Sequence, residues 1–133
     1  RLIILLKNAY LAQLNENSII EMGKNLQGDS NTLYSYIKYA NGILEVWGRS
    51  AFTATTLTQQ TNVVQFPAVD FINTNNMNVL LTLNRNGTMA EKIIEANDGG
   101  NITRTTHSFT ALCEKNNSNY GINFSFIVKG FWK

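Results

Sequence analysis

The spacing of apolar residues changes near residue 30, from a helical repeat to a strand repeat. Between residues 2 and 20 the apolar positions recur every three or four residues, as in an amphipathic helix. Fewer than three heptads are present, so a short coiled-coil neck and a single helix packed on its own domain fit equally well. A break rich in Gly, Asp, Ser and Asn follows and predicts a linker at residues 23–32. The helical positions are Leu2, Leu5, Ala9, Ala12 and Ile19.

After the linker, two alternating segments are separated by an Asn-Gly pair. Residues 34–39 and 43–49 both alternate with a period of two, and Asn41-Gly42 lies between them. Because both turn residues tolerate a positive φ, this arrangement predicts a β-hairpin with a type I′ turn. Alternation in the second strand places Ile43, Glu45, Trp47 and Arg49 on one face and Leu44, Val46 and Gly48 on the other.

Further short apolar runs follow, separated by Asn-rich turn clusters. Runs at roughly ten-residue intervals predict an all-β, antiparallel sandwich or barrel. Ala90–Ala96 fits a short helix as well as a strand. The last run is the clearest, with alternating apolar residues from Ile122 to Val128 on one side. The predicted strands are Phe52–Thr58, Asn62–Phe66, Val69–Ile72, Met77–Asn84, Thr88–Ala96, Ile102–His107, Ser108–Cys113 and Tyr120–Trp132.

Composition narrows the classes of partner. The 133 residues are 44% apolar, with eleven basic and nine acidic side chains, which suits one globular domain. A net charge of +2 provides no polybasic surface for nucleic acid. The longest wholly apolar run, Leu2–Leu6, is far shorter than the roughly 20 residues that a membrane helix needs, so no membrane insertion is expected. The chain contains 19 Asn and 13 Thr, which favours strands joined by many tight turns.

Groups for catalysis or metal binding are few. Cys113 is the only cysteine and is expected to be a buried apolar residue. His107 is the only imidazole, and no nucleophile motif accompanies it. Glu91 and Glu95 are the one carboxylate pair that could serve a polysaccharide depolymerase, and a solvated surface explains them better. We therefore expect no enzymatic activity, no cofactor and no metal.

The segments Tyr36–Gly48, Val64–Phe71 and Phe124–Trp132 occur in this order along the chain, and together they resemble the C-terminal domains of bacteriophage tail fibres. Tyr36–Gly48 is similar to the opening hairpin of that family, with an aromatic-x-Lys strand, a Gly turn and an apolar strand ending in Trp-Gly. Val64–Phe71 is similar to its Phe-Pro-x-x-Phe segment, and Phe124–Trp132 to its closing aromatic strand. Order and spacing agree over about residues 34–133.

The resemblance implies a homotrimeric antiparallel β-sandwich head at residues 33–133, preceded by a helical neck or shaft segment and linker at residues 1–32. It also implies a place at the tip of a virion tail fibre, attached to the rest of the fibre or the baseplate. Such a head binds a host-surface glycan or protein receptor, here expected to be a bacterial polysaccharide, without catalysis. The alternative is a cellular carbohydrate-binding module or lectin-like domain, which would be monomeric.

The candidate receptor-binding residues lie in the Asn-rich loops. Amide side chains donate and accept hydrogen bonds in one plane, and an aromatic ring can stack on the apolar face of a sugar. Loops presented by a rigid sheet carry binding residues more often than strands do, whereas Trp47 and the Phe124/Phe126 face are expected in the core. The candidates are Asn75, Asn76, Asn97, Asp98, Asn101, Asn117 and Tyr120.

Overall fold

The described residues fold mainly into antiparallel strands. The structure is a computed structural model that describes residues 2–6, 17–52, 59–84, 90–115 and 122–133, without the side chains of residues 90, 91 and 115. Within these ranges no helix is long and apolar enough to cross a bilayer. The elements are helix α1 (2–6), a 3₁₀ turn at Thr74–Asn76, and strands β1 Ile19–Gln27, β2 Leu33–Tyr39, β3 Ile43–Phe52, β4 Gln59–Gln65, β5 Asn78–Asn84, β6 Ala90–Glu95, β7 Asn97–Asp98, β8 Asn101–Ile102, β9 Arg104–Thr105, β10 Ser108–Lys115 and β11 Ile122–Phe131.

Two sheets pack as a sandwich, which confirms the predicted fold class. The larger sheet has the order β1-β2-β3-β11-β5. The smaller sheet has the order β4-β10-β6, and β9 also pairs with β10. Strands β7 and β8 form a separate two-stranded hairpin. All of these pairs are antiparallel.

The core lies between the inner faces of the two sheets. Strand β11 places Phe124, Phe126 and Val128 inward, as its alternation predicts. The ring of Phe126 meets that of Phe109 from β10 edge to face, with centroids 5.5 Å apart. Edge-to-face contacts of this kind are favourable beyond the area that they bury. Cys113 is buried in the same cluster, as expected.

The predicted hairpin is present, with a different turn. The amide of Gly42 donates to the Tyr39 carbonyl at 3.0 Å, and the amide of Ile43 donates to Asn41 Oδ1 at 2.9 Å. Only Gly42 has a positive φ in this loop, at 96°, so the type I′ prediction is wrong. Since Asn41 keeps an ordinary backbone conformation, the strands are joined by a three-residue loop in which glycine makes the reversal.

The prediction of which β3 residues share a face is correct, but the face that carries Trp47 points away from the core. Leu44 and Val46 are buried, whereas Trp47 is 39% exposed on the outer face of the sheet. Neighbouring strands keep this register, since Trp47 lies opposite Ser35 on β2 and Ile127 on β11. The prediction that Trp47 lies in the core is therefore wrong. Strand pairing and alternation place its side chain on the outer face of the larger sheet.

The N-terminal predictions are only partly correct. A helix does cover residues 2–6, and residues 7–16 lie outside the described residues. Strand β1 occupies the end of the predicted helix and the first half of the predicted linker, so both predictions are wrong there. Gly23, one of the residues that suggested a linker, lies at a bulge in β1, where Asn25 has a φ of 53° and its amide donates to Ser35 Oγ. The division into neck and head at residue 32 remains a prediction.

Two other predicted strands are wrong. In place of the strand Ile102–His107 the chain forms only the two-residue strands β8 and β9. Val69–Ile72 is not a strand, although Val69 and Phe71 are buried. The backbone N–H of Phe71 donates to the Thr106 carbonyl, and that of Ile72 donates to the Phe131 carbonyl. Because these acceptors lie in different segments, no regular ladder of strand hydrogen bonds forms. The ambiguous segment Ala90–Ala96 is a strand up to Glu95, because it pairs with β10.

A carboxylate joins the two sheets. In the loop between β1 and β2, the Asp29 carboxylate accepts a hydrogen bond from the Thr32 hydroxyl at 2.8 Å. It also accepts one from the backbone N–H of Gln65 in β4 at 3.0 Å. A carboxylate only accepts, so the Thr32 proton points to Asp29 and the buried Ser50 hydroxyl donates to Thr32. Gly28 allows this approach, since a Cβ there would overlap the Gln65 carbonyl oxygen.

Replacing Asp29 by Ala should lower the free energy of unfolding by about 2 kcal/mol, because the Thr32 hydroxyl and the backbone N–H of Gln65 lose a charged acceptor. Urea denaturation measures this change. Asp98→Ala, at an exposed position, is the control and should change stability by less than about 0.5 kcal/mol. Equal stability of the two variants would contradict this role of Asp29.

Candidate functional site

A groove crosses the outer face of the larger sheet. Its volume is about 610 Å³. It lies where β3 and β5 end and β11 begins, because Asn123 pairs with both Ala51 and Asn84. We call it the outer groove, and its main lining residues are Asn31, Leu33, Arg49, Asn84, Asn123 and Ser125.

Cross-strand pairing positions the polar residues of the outer groove. Arg49 on β3 lies between Leu33 on β2 and Ser125 on β11. The Asn84 amide donates to Ser125 Oγ at 3.0 Å, and the Ser125 hydroxyl donates to Asn84 Oδ1 at 3.1 Å. The strands therefore present a guanidinium, amides and a hydroxyl on one surface.

An apolar depression of about 400 Å³ adjoins the outer groove. It shares Leu33 and Arg49 with the groove and adds Trp47 and Ile127, which are both exposed. We call Leu33, Trp47 and Ile127 the apolar lobe. An exposed aromatic ring beside planar hydrogen-bonding groups is an arrangement that suits the apolar and polar faces of a sugar.

The electrostatics of the outer groove are set by Arg49. None of the described residues that line the groove or the apolar lobe is Asp or Glu. Arg49 makes no ion pair and no side-chain hydrogen bond with any residue that the structure describes. By contrast, Lys129, on the same sheet face, pairs with Glu45 at 3.2 Å. Among the described residues, Arg49 is therefore an uncompensated positive charge in the groove.

The residues predicted from the loops lie elsewhere. Asn75 and Asn76 form part of the 3₁₀ turn, which Asn73 caps by accepting from the Asn76 amide at 3.0 Å. Asn97, Asp98 and Asn101 lie in the exposed β7–β8 hairpin, where Asn97 Oδ1 accepts from the Gly100 amide at 2.6 Å. None of these five lines the outer groove, and their part in binding remains a prediction. Asn117 and Tyr120 lie outside the described residues.

Sequence reasoning missed the residues of the outer groove. A partial signal was available, because alternation places Arg49 on the same face of β3 as Trp47. The contributions of Asn84 and Asn123 could not be found in this way. They depend on which strands become neighbours, and residues 31, 49, 84 and 123 are far apart along the chain.

The carboxylate that could have served catalysis is held in a structural ion pair. Arg104 Nε and Nη2 donate to the two oxygens of Glu95 at 2.6 and 2.8 Å, and both side chains are about 14% exposed. Arg104 Nη1 also donates to the carbonyls of Thr74 and Met77. The hydrogen bonds to Glu95 raise the pKa of Arg104 above its usual value. The side chain of Glu91 lies outside the described residues.

The single histidine also has a carboxylate partner. His107 Nδ1 lies 3.0 Å from Asp70 Oδ1, and the Thr106 hydroxyl donates to the same oxygen at 2.7 Å. These hydrogen bonds, that of Thr106 first, lower the pKa of Asp70. Both partners are exposed at the surface. Within the described residues, no three His, Cys, Asp or Glu side chains cluster as metal ligands.

Replacing Glu95 by Gln should destabilise the protein by about 3 kcal/mol, because the largely buried Arg104 loses its counter-charge. The matched control is Glu45→Gln, whose partner Lys129 is 59% exposed, and we expect a loss below about 1 kcal/mol. Denaturant unfolding at neutral pH compares the two. A Glu95→Gln variant as stable as the control would show that the ion pair is not structural.

Comparisons with known proteins add a structural likeness. No protein-family model and no curated protein matches the sequence. Among solved structures, an N-truncated R1-type pyocin tail fibre is similar to this chain at 13% sequence identity. The likeness covers 92% of this chain and 93% of that chain, with a TM-score of 0.47. At this identity and TM-score it assigns neither a family nor a function.

Proposed function

We propose that this chain is the host-attachment domain of a phage tail fibre, which binds a bacterial surface saccharide in the outer groove without catalysis. The observation that carries the proposal is the outer groove itself, where Arg49, Asn84 and Asn123 share one surface and Arg49 also borders the apolar lobe with the exposed ring of Trp47. The volumes of the groove and the apolar lobe are within the range of small-molecule sites, about 300–1,000 Å³.

The segments that resemble tail-fibre domains support the proposal because they pack as one unit. Tyr36, Phe66 and Phe126, one from each segment, belong to the same hydrophobic core cluster. The closing strand joins the same hairpin, since Trp132 Nε1 donates to the Tyr39 carbonyl at 2.9 Å. The resemblance therefore involves residues that contact each other and not separate short matches.

Helix α1 supports assembly into a homotrimer. Residues 2–6 are all Leu or Ile, and each side chain is 59–81% exposed in the single chain. Contiguous apolar side chains on a surface are typical of sites that another protein covers. We propose that the helices of three copies bury these side chains together as the neck of the fibre head, at the virion end that meets the bacterium.

Replacing Trp47 by Ala should weaken saccharide binding about tenfold, because the sugar loses its aromatic platform. The measurement is binding of the labelled protein to an array of purified bacterial surface polysaccharides. Phe131→Ala is the control, because Phe131 is also an exposed aromatic residue of the larger sheet but lies outside the outer groove and the apolar lobe. Unchanged binding by the Trp47 variant, or no binding of the unaltered protein to any polysaccharide, would contradict the proposal.

Light scattering coupled to size-exclusion chromatography should give a mass of about 45 kDa, three times the 14.9 kDa of one chain. Replacing both Leu2 and Leu5 by Glu should reduce the mass to that of one chain, because charges replace apolar contacts. Ile102→Glu, at another exposed apolar position, should leave the trimer intact. A single-chain mass for the unaltered protein would favour the alternative, a monomeric carbohydrate-binding module.

A further inference from the structure

We propose that the saccharide bound in the outer groove is acidic, and that the Arg49 guanidinium binds its carboxylate or phosphate group. This inference rests on the proposed function, because it names the class of ligand for the same groove. It also assigns Arg49 as the residue that selects charged over neutral saccharides.

The first argument is the isolation of Arg49 among side chains that cannot neutralise it. It extends from the outer face of β3, between Leu33 and Ser125 on the adjacent strands. Neither residue carries a charge, and the described lining of the groove contains no carboxylate. A guanidinium has five N–H donors in a planar fork that matches the two oxygens of a carboxylate or phosphate. The donors of Arg49 therefore remain available to a ligand.

The second argument is how the other ionic side chains of the larger sheet are used. On β11, two residues beyond Ile127, Lys129 is paired with Glu45 of β3. On β2, Lys38 is paired with Glu21 of β1 at 3.3 Å. Arg49 has no such partner within the described part of the chain, although it lies in the same sheet. A positive charge left uncompensated in a groove favours an anionic ligand over a neutral one.

The third argument is that the neighbours of Arg49 suit a sugar better than a free anion. Asn31, Asn84 and Asn123 supply amides that can donate to and accept from sugar hydroxyls. The apolar lobe offers Trp47 to the apolar face of a ring. In the described lining, a cation lies among several amides, an arrangement that fits a saccharide carrying both a charged group and hydroxyls. A densely charged polyanion such as nucleic acid requires many phosphate contacts, and the net charge of the chain is only +2.

The test compares variants of the full chain on the array of purified bacterial surface polysaccharides. Arg49→Gln should reduce binding to the acidic polysaccharides about ten- to a hundredfold, because a charge-assisted bidentate contact is lost. Arg49→Lys keeps the charge without the fork and should have an intermediate effect. Lys129→Gln is the matched control, because it removes the same charge from the same sheet face outside the outer groove, and it should bind like the unaltered protein. Thermal unfolding of each variant verifies that it is folded.

Chemical treatment of the bound polysaccharides distinguishes the two anions. Carboxyl reduction abolishes binding if Arg49 binds a carboxylate, and removal of phosphate with hydrofluoric acid abolishes it if Arg49 binds a phosphate. Binding that survives both treatments, binding to neutral polysaccharides alone, or equal binding by Arg49→Gln would overturn the inference and leave saccharide binding intact. Absence of binding to every polysaccharide would instead overturn the proposed function.

Discussion

The alternation of β11 connects the stability of the fold to the surface that we assign to binding. Its even-numbered residues, Phe124, Phe126 and Val128, fill the core, and the odd-numbered residues between them face outward. Because the strand has neighbours on both sides, its register also decides what lies beside Arg49 of β3 and Asn84 of β5. A shift by one residue would expose the phenylalanines and remove Ser125 from the groove at the same time. Core and groove therefore depend on one register.

Much of the fold could be predicted because the decisive signals are local. The Asn41-Gly42 pair and the two alternating runs around it identify the hairpin, and the alternation from Ile122 to Val128 identifies the closing strand. The local signal failed where pairing outweighed it. Gly23 indicates a linker, yet it lies within β1, because the strand bulges to keep its pairing with β2.

The outer groove was beyond sequence reasoning for a different reason. Its residues come from four strands or strand ends, and their proximity depends on strand order, which a single sequence does not contain. The rule that loops carry function directed attention to Asn97 and Asn101, and alternation alone could not decide whether Trp47 faced the core or the solvent. What the sequence could indicate was the chemistry, namely abundant amides and few charges on a β framework.

Strand order in the larger sheet has a consequence for how the protein folds during synthesis. Strand β11 follows all other described strands in the chain, yet it lies between β3 and β5. Until the ribosome has made it, β5 lacks its hydrogen-bonding partner in this sheet and β3 has an open edge. Such late, long-range pairing is slow and leaves strand edges available for association with other chains. In a polysome, where copies of the chain are close together, the nascent larger sheet therefore exposes strand edges with which other copies can associate.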